Sequence, residues 1–246
     1  MPSLRLRSNL RRIYRATLIL HALLRGVPEA WIFITGLIIA LLGRGLQAWA
    51  SGHLDKVNER RGPDPPVPTS SGPFAHVRNP IAWSSFLSDV GLGILAGAAI
   101  PVAVYSAIYW WVAWRRITRY EEPMLRRRCG ESYERYIEMT PRLLPRLRRP
   151  RGSASGWFSW RRFWDNGELS RLLGGLTLIG VFYLIGLYQR EGGTAHPWFW
   201  PALGLFATLG VIGLVLQGAE YRPHLVRTRL LRWIRGDRST GKTAAP

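Results

Sequence analysis

Two apolar segments, 81–99 and 100–114, follow one another with almost nothing polar between them, and each is bounded on its outer side by a polar, arginine-bearing motif. GPFAHVRNPIAWSS (72–85) leads in, and EEPMLRRRCGESYERYIEMTPRLLPR (121–146) leads out. Each arm is ~17 residues, or ~25 Å of helix at 1.5 Å per residue, close to the thickness of a bilayer's hydrocarbon layer. The pair therefore predicts a tight hairpin that enters a membrane and returns, with Pro101 at its tip. The two motifs then meet at one membrane face. A site built from both is expected there, although they lie far apart along the chain.

The remaining composition supports a membrane reading. The chain has 246 residues, is 47% hydrophobic and carries a formal net charge of +19, from 34 Lys+Arg against 15 Asp+Glu. In a soluble protein that surplus points to nucleic acid. Here the apolar residues come in long blocks and the arginines fall between them, which argues against a nucleic-acid partner and for basic cytoplasmic loops around membrane spans. Many of the twelve Trp sit near block ends, as in an aromatic belt at the headgroup level. Cys129 is the single cysteine, so there is no disulfide framework and no cysteine cluster for a metal; no metal site is expected.

In chain order, an arginine-rich segment, 1–29, reads as a basic interfacial element, with an amphipathic helix over 8–25. Segment 30–50 is the first credible span; Arg44 and Gln47 near its end suit either snorkelling to the interface or a polar pocket within the bundle. A Pro- and Gly-containing linker follows over 51–72. In 81–99, Asp89 is the one charge, and Gly93 and Gly97 have the GxxxG spacing that lets helices pack closely. Glu131, Arg135 and Glu138, with Tyr133 and Tyr136, predict a short amphipathic helix. A flexible break is expected over 150–160, then spans at 172–189 and 197–217, and a basic tail in which 222–235 reads as a further interfacial helix. The expected fold is an all-α, polytopic integral membrane helix bundle of about five transmembrane helices plus amphipathic interfacial helices. It divides into 1–29, a core at 30–151, a C-terminal hairpin at 152–217 and a tail at 218–246. The charge rule puts the basic loops in the cytoplasm, but five spans leave the arginine-rich N-terminal segment on the opposite face, a conflict the sequence does not resolve.

The motif residues carry a family resemblance. Gly72-Pro73-Phe74, Val77-Arg78-Asn79-Pro80, Glu121-Glu122 with Leu125, Gly130, Tyr133 and Tyr136, and Pro141-Arg142 with Pro145 together resemble the isoprenylcysteine carboxyl methyltransferase and phospholipid methyltransferase family. The resemblance implies an integral membrane, S-adenosylmethionine-dependent methyltransferase with its site at the cytoplasmic face of, for instance, a bacterial inner membrane. The implied acceptor is lipophilic, either an isoprenylcysteine carboxylate-like group or a lipid headgroup. It also implies cofactor-binding roles for His76, Val77, Arg78, Asn79, Pro80, Glu121, Glu122 and Tyr136, with Arg78 and Glu122 as the catalytic pair. Three positions depart from the pattern: Asn79 stands where His is usual, Ala82 where Tyr is usual, and Ser84 where Gly is usual. Asn donates and accepts hydrogen bonds but is no acid or base near neutral pH.

Each residue also has a plainer reading. The glutamates suit an interfacial ion pair with Arg119 or Arg126, Arg78 a lipid-phosphate anchor, the tyrosines packing, and His76 local structure. Alternative functions are a sterol-reductase-like, NADPH-dependent membrane reductase and a non-catalytic membrane protein of the same fold. The stretch Gly236–Thr243 fits the phosphate-loop pattern but lacks the strand and helix that make such a loop work, so it is a chance match.

Overall fold

The computed structural model describes residues 2–54, 67–148, 150, 156–190 and 193–221. The expected helix at 222–235, the phosphate-loop-like tail and most of the linker lie outside these residues. Nine α-helices are described: α1 (Pro2–Arg25), α2 (Ala30–His53), α3 (Pro80–Leu95), α4 (Ala99–Arg116), α5 (Glu122–Cys129), α6 (Glu131–Met139), α7 (Trp160–Asp165), α8 (Glu168–Arg190) and α9 (Phe199–Tyr221). Short 3-10 turns cover Gly72–Ala75 and Gly193–Ala195, and a π turn, Ile117–Glu121, joins α4 to α5. No strand occurs among the described residues, as the all-α reading requires.

Among the described residues, three helices are long and apolar enough to cross a membrane: Ala30–His53, Glu168–Gln189 and Phe199–Gly218. Helix α3 is apolar but shorter, and α4 ends in Arg115-Arg116. At 1.5 Å per residue these two are roughly 24 and 27 Å long. They do form a hairpin, but its turn is Ala96–Ala98, not Pro101. Gly97 adopts φ 69°, which an L side chain resists, and its N–H donates to Ile94 O at 2.8 Å. Pro101 sits in the first turn of α4, where a missing N–H costs nothing.

The expected Gly93/Gly97 packing motif is also displaced. Gly97 makes the turn, and Gly93 makes room for the Tyr14 hydroxyl and Val102. The close helix pair is α2 against α3, running antiparallel. A Cβ on Gly36 would lie 2.3 Å from Leu95 N, one on Gly43 2.4 Å from Ser88 N, and one on Gly91 2.3 Å from Ala40 N. Backbones therefore touch along the whole seam, which only small residues permit.

Helix α1 packs onto the bundle. It is one helix from Pro2, and its inner residues Tyr14, Leu18 and Ala22 join a core with Leu92, Leu95, Tyr105, Tyr109 and Phe182. Buried Asp89 anchors it: the carboxylate accepts from Arg11 Nε at 2.7 Å, Arg15 Nη2 at 3.0 Å and the Tyr105 hydroxyl at 2.6 Å. The contacts also give the direction of each helix. A Cβ on Gly97 would meet Pro28 at 3.3 Å, a Cβ on Gly186 would meet Val27 at 2.9 Å, and the Gln189 amide donates to Leu23 O at 3.1 Å. One end of the bundle therefore holds the 26–29 loop, the α3–α4 turn and the end of α8. Helix α9 runs back along α8, with Gly180 against Phe206 and Gly213 against Leu173. The start of α1, the end of α2, residues 72–80, α5–α7 and the start of α8 lie at the other end. Six long helices, α1 included, thus alternate in direction among the described residues.

The expected flexible break is anchored over 156–159. Ser159 N–H donates to Gly52 O at 3.0 Å, and the Phe158 ring fills the space beside Gly52.

Candidate active site

The lead-in motif folds around Gly72. Its φ is 58°, and a Cβ there would lie 2.5 Å from the His53 ring, so glycine is required both by conformation and by the approach of α2. Pro73 then starts a buried 3-10 turn, and Asn79-Pro80 starts α3 with proline at its first position. The lead-out motif closes over this turn as a strap. Arg78 N–H donates to Pro141 O at 2.9 Å, Arg146 N–H to His76 O at 2.9 Å, Asn79 Nδ2 to Arg142 O at 3.1 Å and Trp83 Nε1 to Leu143 O at 2.5 Å. From α6, the Tyr136 hydroxyl donates to Phe74 O at 2.8 Å. Residues that are more than sixty positions apart are thereby held at one end of the bundle.

Between them lies a cavity of about 580 Å³, lined on one side by Arg78, Asn79, Pro80, Arg116, Glu121, Glu122, Tyr133 and Tyr136, and on the other by Arg11, Arg44, Gln47, Ser51, Ser85, Ser88, Glu168 and Arg171. Of the eight residues singled out in sequence, Arg78, Asn79, Pro80, Glu121, Glu122 and Tyr136 line it. Two do not. Val77 is buried at the back of the turn, and His76 points its Nδ1 to Arg146 O at 2.8 Å, tying down the strap.

Glu122 is buried and holds three donors. Its Oε1 accepts from Arg78 Nη1 at 2.8 Å and Arg142 Nε at 2.8 Å, and its Oε2 from Arg142 Nη2 at 2.6 Å. Arg142 also lies over the Trp114 ring, 5.1 Å from its centroid. The carboxylate holds the Arg142 guanidinium more firmly protonated, chiefly by its hydrogen bonds. Glu122 thus pairs with Arg78 and Arg142, not with Arg119 or Arg126. Glu121 is more open, with Arg116 Nε at 3.1 Å. The π turn between α4 and α5 inserts an extra residue just before this pair, a distortion frequent at functional sites. Burial pushes the Tyr133 and Tyr136 hydroxyls above the usual tyrosine range, so both stay protonated donors at neutral pH.

Arg44 and Gln47 face the cavity, so the pocket reading of that pair holds over snorkelling. The Glu168 carboxylate accepts from Gln47 Nε2 at 3.1 Å and Ser51 Oγ at 2.7 Å, and it also takes Arg171 Nη1. Sequence reasoning missed Arg142, Glu168, Arg171 and Arg11. Arg142 stood in the quoted Pro-Arg motif. Glu168, an acid at the head of an apolar span, was a signal of the kind that marks polar function inside membranes.

Residues 31–132 match the model of the phospholipid methyltransferase family. This stretch runs from α2 through the hairpin and both glutamates into the first residues of α6. No curated protein and no solved structure matches the chain.

Proposed function

We propose, on the premise that residues 31–132 are a phospholipid methyltransferase segment, that the protein is an integral membrane methyltransferase that takes S-adenosylmethionine at this cavity and serves a lipophilic acceptor. The observation that carries the proposal is the cavity itself. Its volume of about 580 Å³ lies within the range for a drug-sized ligand, and it brings both halves of the family motif together.

The donor set fits such a cofactor. Arg78 Nε is buried and has no hydrogen-bond partner among the described residues, so it has a donor left for a carboxylate or hydroxyl, while Arg116 Nε faces Glu121 at 3.1 Å. Glu121 keeps acceptor capacity for an ammonium or ribose hydroxyls. When bound, adenosylmethionine supplies an electrophilic methyl group on its sulfonium. The protein's task is then to hold the acceptor atom in line and exclude water, which requires neither metal nor covalent intermediate. Glu122 positions: its two oxygens fix the forks of Arg78 and Arg142, so Arg78 presents its remaining donor without reorganising. Tyr133 and Tyr136 close the wall as neutral groups, Tyr136 with its hydroxyl proton given to Phe74 O. Asn79 spends its amide on the strap, so the site has no imidazole base at that position; the acceptor arrives ionised, as a carboxylate or thiolate, or as an amine.

The alternating helices support a membrane-embedded fold in which the hairpin also crosses, with the basic end in the cytoplasm. A charged, soluble cofactor enters from that end, and an amphiphile enters from the bilayer. Calorimetric titration of adenosylmethionine into detergent-solubilised protein tests the reading: saturable binding is expected, and no binding, or binding of NADPH in its place, would refute it.

A further inference from the structure

Five arginines line the cavity, and four are ion-paired. Arg11 meets Asp89 at 2.7 Å, Arg78 meets Glu122 at 2.8 Å, Arg116 meets Glu121 at 3.1 Å, and Arg171 meets Glu168. Arg44 is the exception: among the described residues it makes no hydrogen bond and no ion pair. The nearby Glu168 makes no hydrogen bond or ion pair to it; its Oε1 takes Gln47, Ser51 and Arg171. Room is nevertheless made for the guanidinium. A Cβ on Gly175 of α8 would lie 2.9 Å from Arg44 Nε, so glycine there lets the side chain lie flat against the helix.

Arg44 stands nine residues before the end of α2, roughly 13 Å inward along the helix axis at 1.5 Å per residue. An arginine with no direct ion pair inside an apolar span is costly, and such residues face polar paths and bind what passes along them. Guanidinium presents a planar fork of donors that matches carboxylate and phosphate oxygens. The nearby Gln47 and Ser84 are hydrogen-bonded to each other, and Ser88 donates back to Ser84 O. These groups are therefore committed within the protein, and Arg44 is the arginine on this wall whose whole fork is uncommitted among the described residues.

We propose that Arg44 binds the anionic group, phosphate or carboxylate, of a bilayer amphiphile, and so decides which acceptors can present an atom to the pole formed by Arg78, Glu121 and Glu122. That this amphiphile is the methyl acceptor rests on the methyltransferase reading; that Arg44 binds an anion does not. Arg44 is a specificity residue on α2, separate from the cofactor's pole.

The test uses full-length protein in dodecyl maltoside micelles, titrated with dodecyl phosphate, dodecanoate and dodecyltrimethylammonium and followed by tryptophan fluorescence. Adenosylmethionine is titrated calorimetrically on the same samples. Saturable binding of dodecyl phosphate or dodecanoate is expected, whichever binds more tightly identifying the group, with none for the cationic probe. Arg44→Gln should weaken anion binding about tenfold or more, the loss of a charge-assisted pair, and leave adenosylmethionine affinity unchanged. If Arg44→Gln does not fold, Arg44→Lys keeps the charge but loses the fork, and should still weaken anion binding severalfold. Unchanged anion affinity in the folded variants, or equal binding of the cationic amphiphile, would overturn the proposal. Failure of adenosylmethionine to bind wild type would instead strike the methyltransferase reading, and the anion titrations would still decide the role of Arg44.

Discussion

Glu122 holds two guanidinium groups from opposite halves of the motif, and removing it leaves both without their counter-charge. Glu122→Ala should weaken adenosylmethionine binding by about 1–3 kcal/mol, the range for losing a hydrogen bond to a charged group. Calorimetry checks this, and an unchanged affinity would reduce Glu122 to a structural clasp. Tyr136 offers a separate test through pH. Its folded pKa is raised above the ordinary value of 10.0, by burial first. The protonated form is therefore favoured by folding, so its contribution is complete below pH 10 and declines as pH rises above it. Tyr136→Phe should cost about 1 kcal/mol near neutral pH, where the hydrogen bond to Phe74 O is lost. Its unfolding temperature should also fall less steeply than that of wild type above pH 10, and parallel pH curves would contradict the assignment. The cavity-facing positions of Arg78 and the glutamates were legible because they stand in paired motifs around a hairpin. Arg142 as the partner of Glu122 was not, since nothing in a one-dimensional spacing says which of many arginines a carboxylate will meet. His76 looked like a ligand by proximity alone, but its ring is spent on the Arg146 carbonyl.

The α2–α3 seam is the element on which the site's geometry depends, because α2 carries Arg44, Gln47 and Ser51, and α3 begins at Asn79-Pro80. Its contacts are backbone to backbone, so an added methyl has no flexible neighbour to displace. Gly43→Ala should destabilise the protein by about 1–3 kcal/mol through overpacking. Gly45 has open space around its Cβ position, and Gly45→Ala should instead stabilise α2 by ~0.5–1 kcal/mol. Thermal unfolding of the two variants side by side checks the contrast; equal effects would mean that the seam tolerates separation. A single glycine pair such as Gly93 and Gly97 is readable from sequence, but its partner is not. In this fold one of the two becomes a turn, while the seam is assembled from Gly36, Ala40 and Gly43 on a helix read chiefly for its hydropathy. The hairpin itself was legible because both its arms are apolar. Its turn was misplaced because proline fits the first turn of a helix as readily as a loop.

At the scale of the whole molecule, the hidden feature was α1. Its arginines suggested a segment lying on the membrane surface, whereas Arg11 and Arg15 turn inward and share Asp89, a charge on a different helix. Hydropathy counts such residues one at a time, so a helix held in the bundle by a buried ion pair does not read as part of it. With α1 included, Asn9 and Leu147 lie at one end of the bundle, and Glu29 and Ile100 at the other, all four exposed. If the bundle spans a bilayer, single cysteines at these positions, with buried Cys129 replaced by serine, should divide into two pairs. A membrane-impermeant maleimide added outside intact vesicles should label positions 29 and 100 in one orientation. Positions 9 and 147 should react only after permeabilisation or inversion. Joint labelling of 100 and 147 would break the hairpin, and joint labelling of 9 and 29 would return α1 to the membrane surface. With α1 at the surface, Arg11 would leave the cavity and Asp89 would stand in the apolar layer without its two arginines. That arrangement is costly for a buried carboxylate, and this penalty is why the alternating six-helix order is expected to hold.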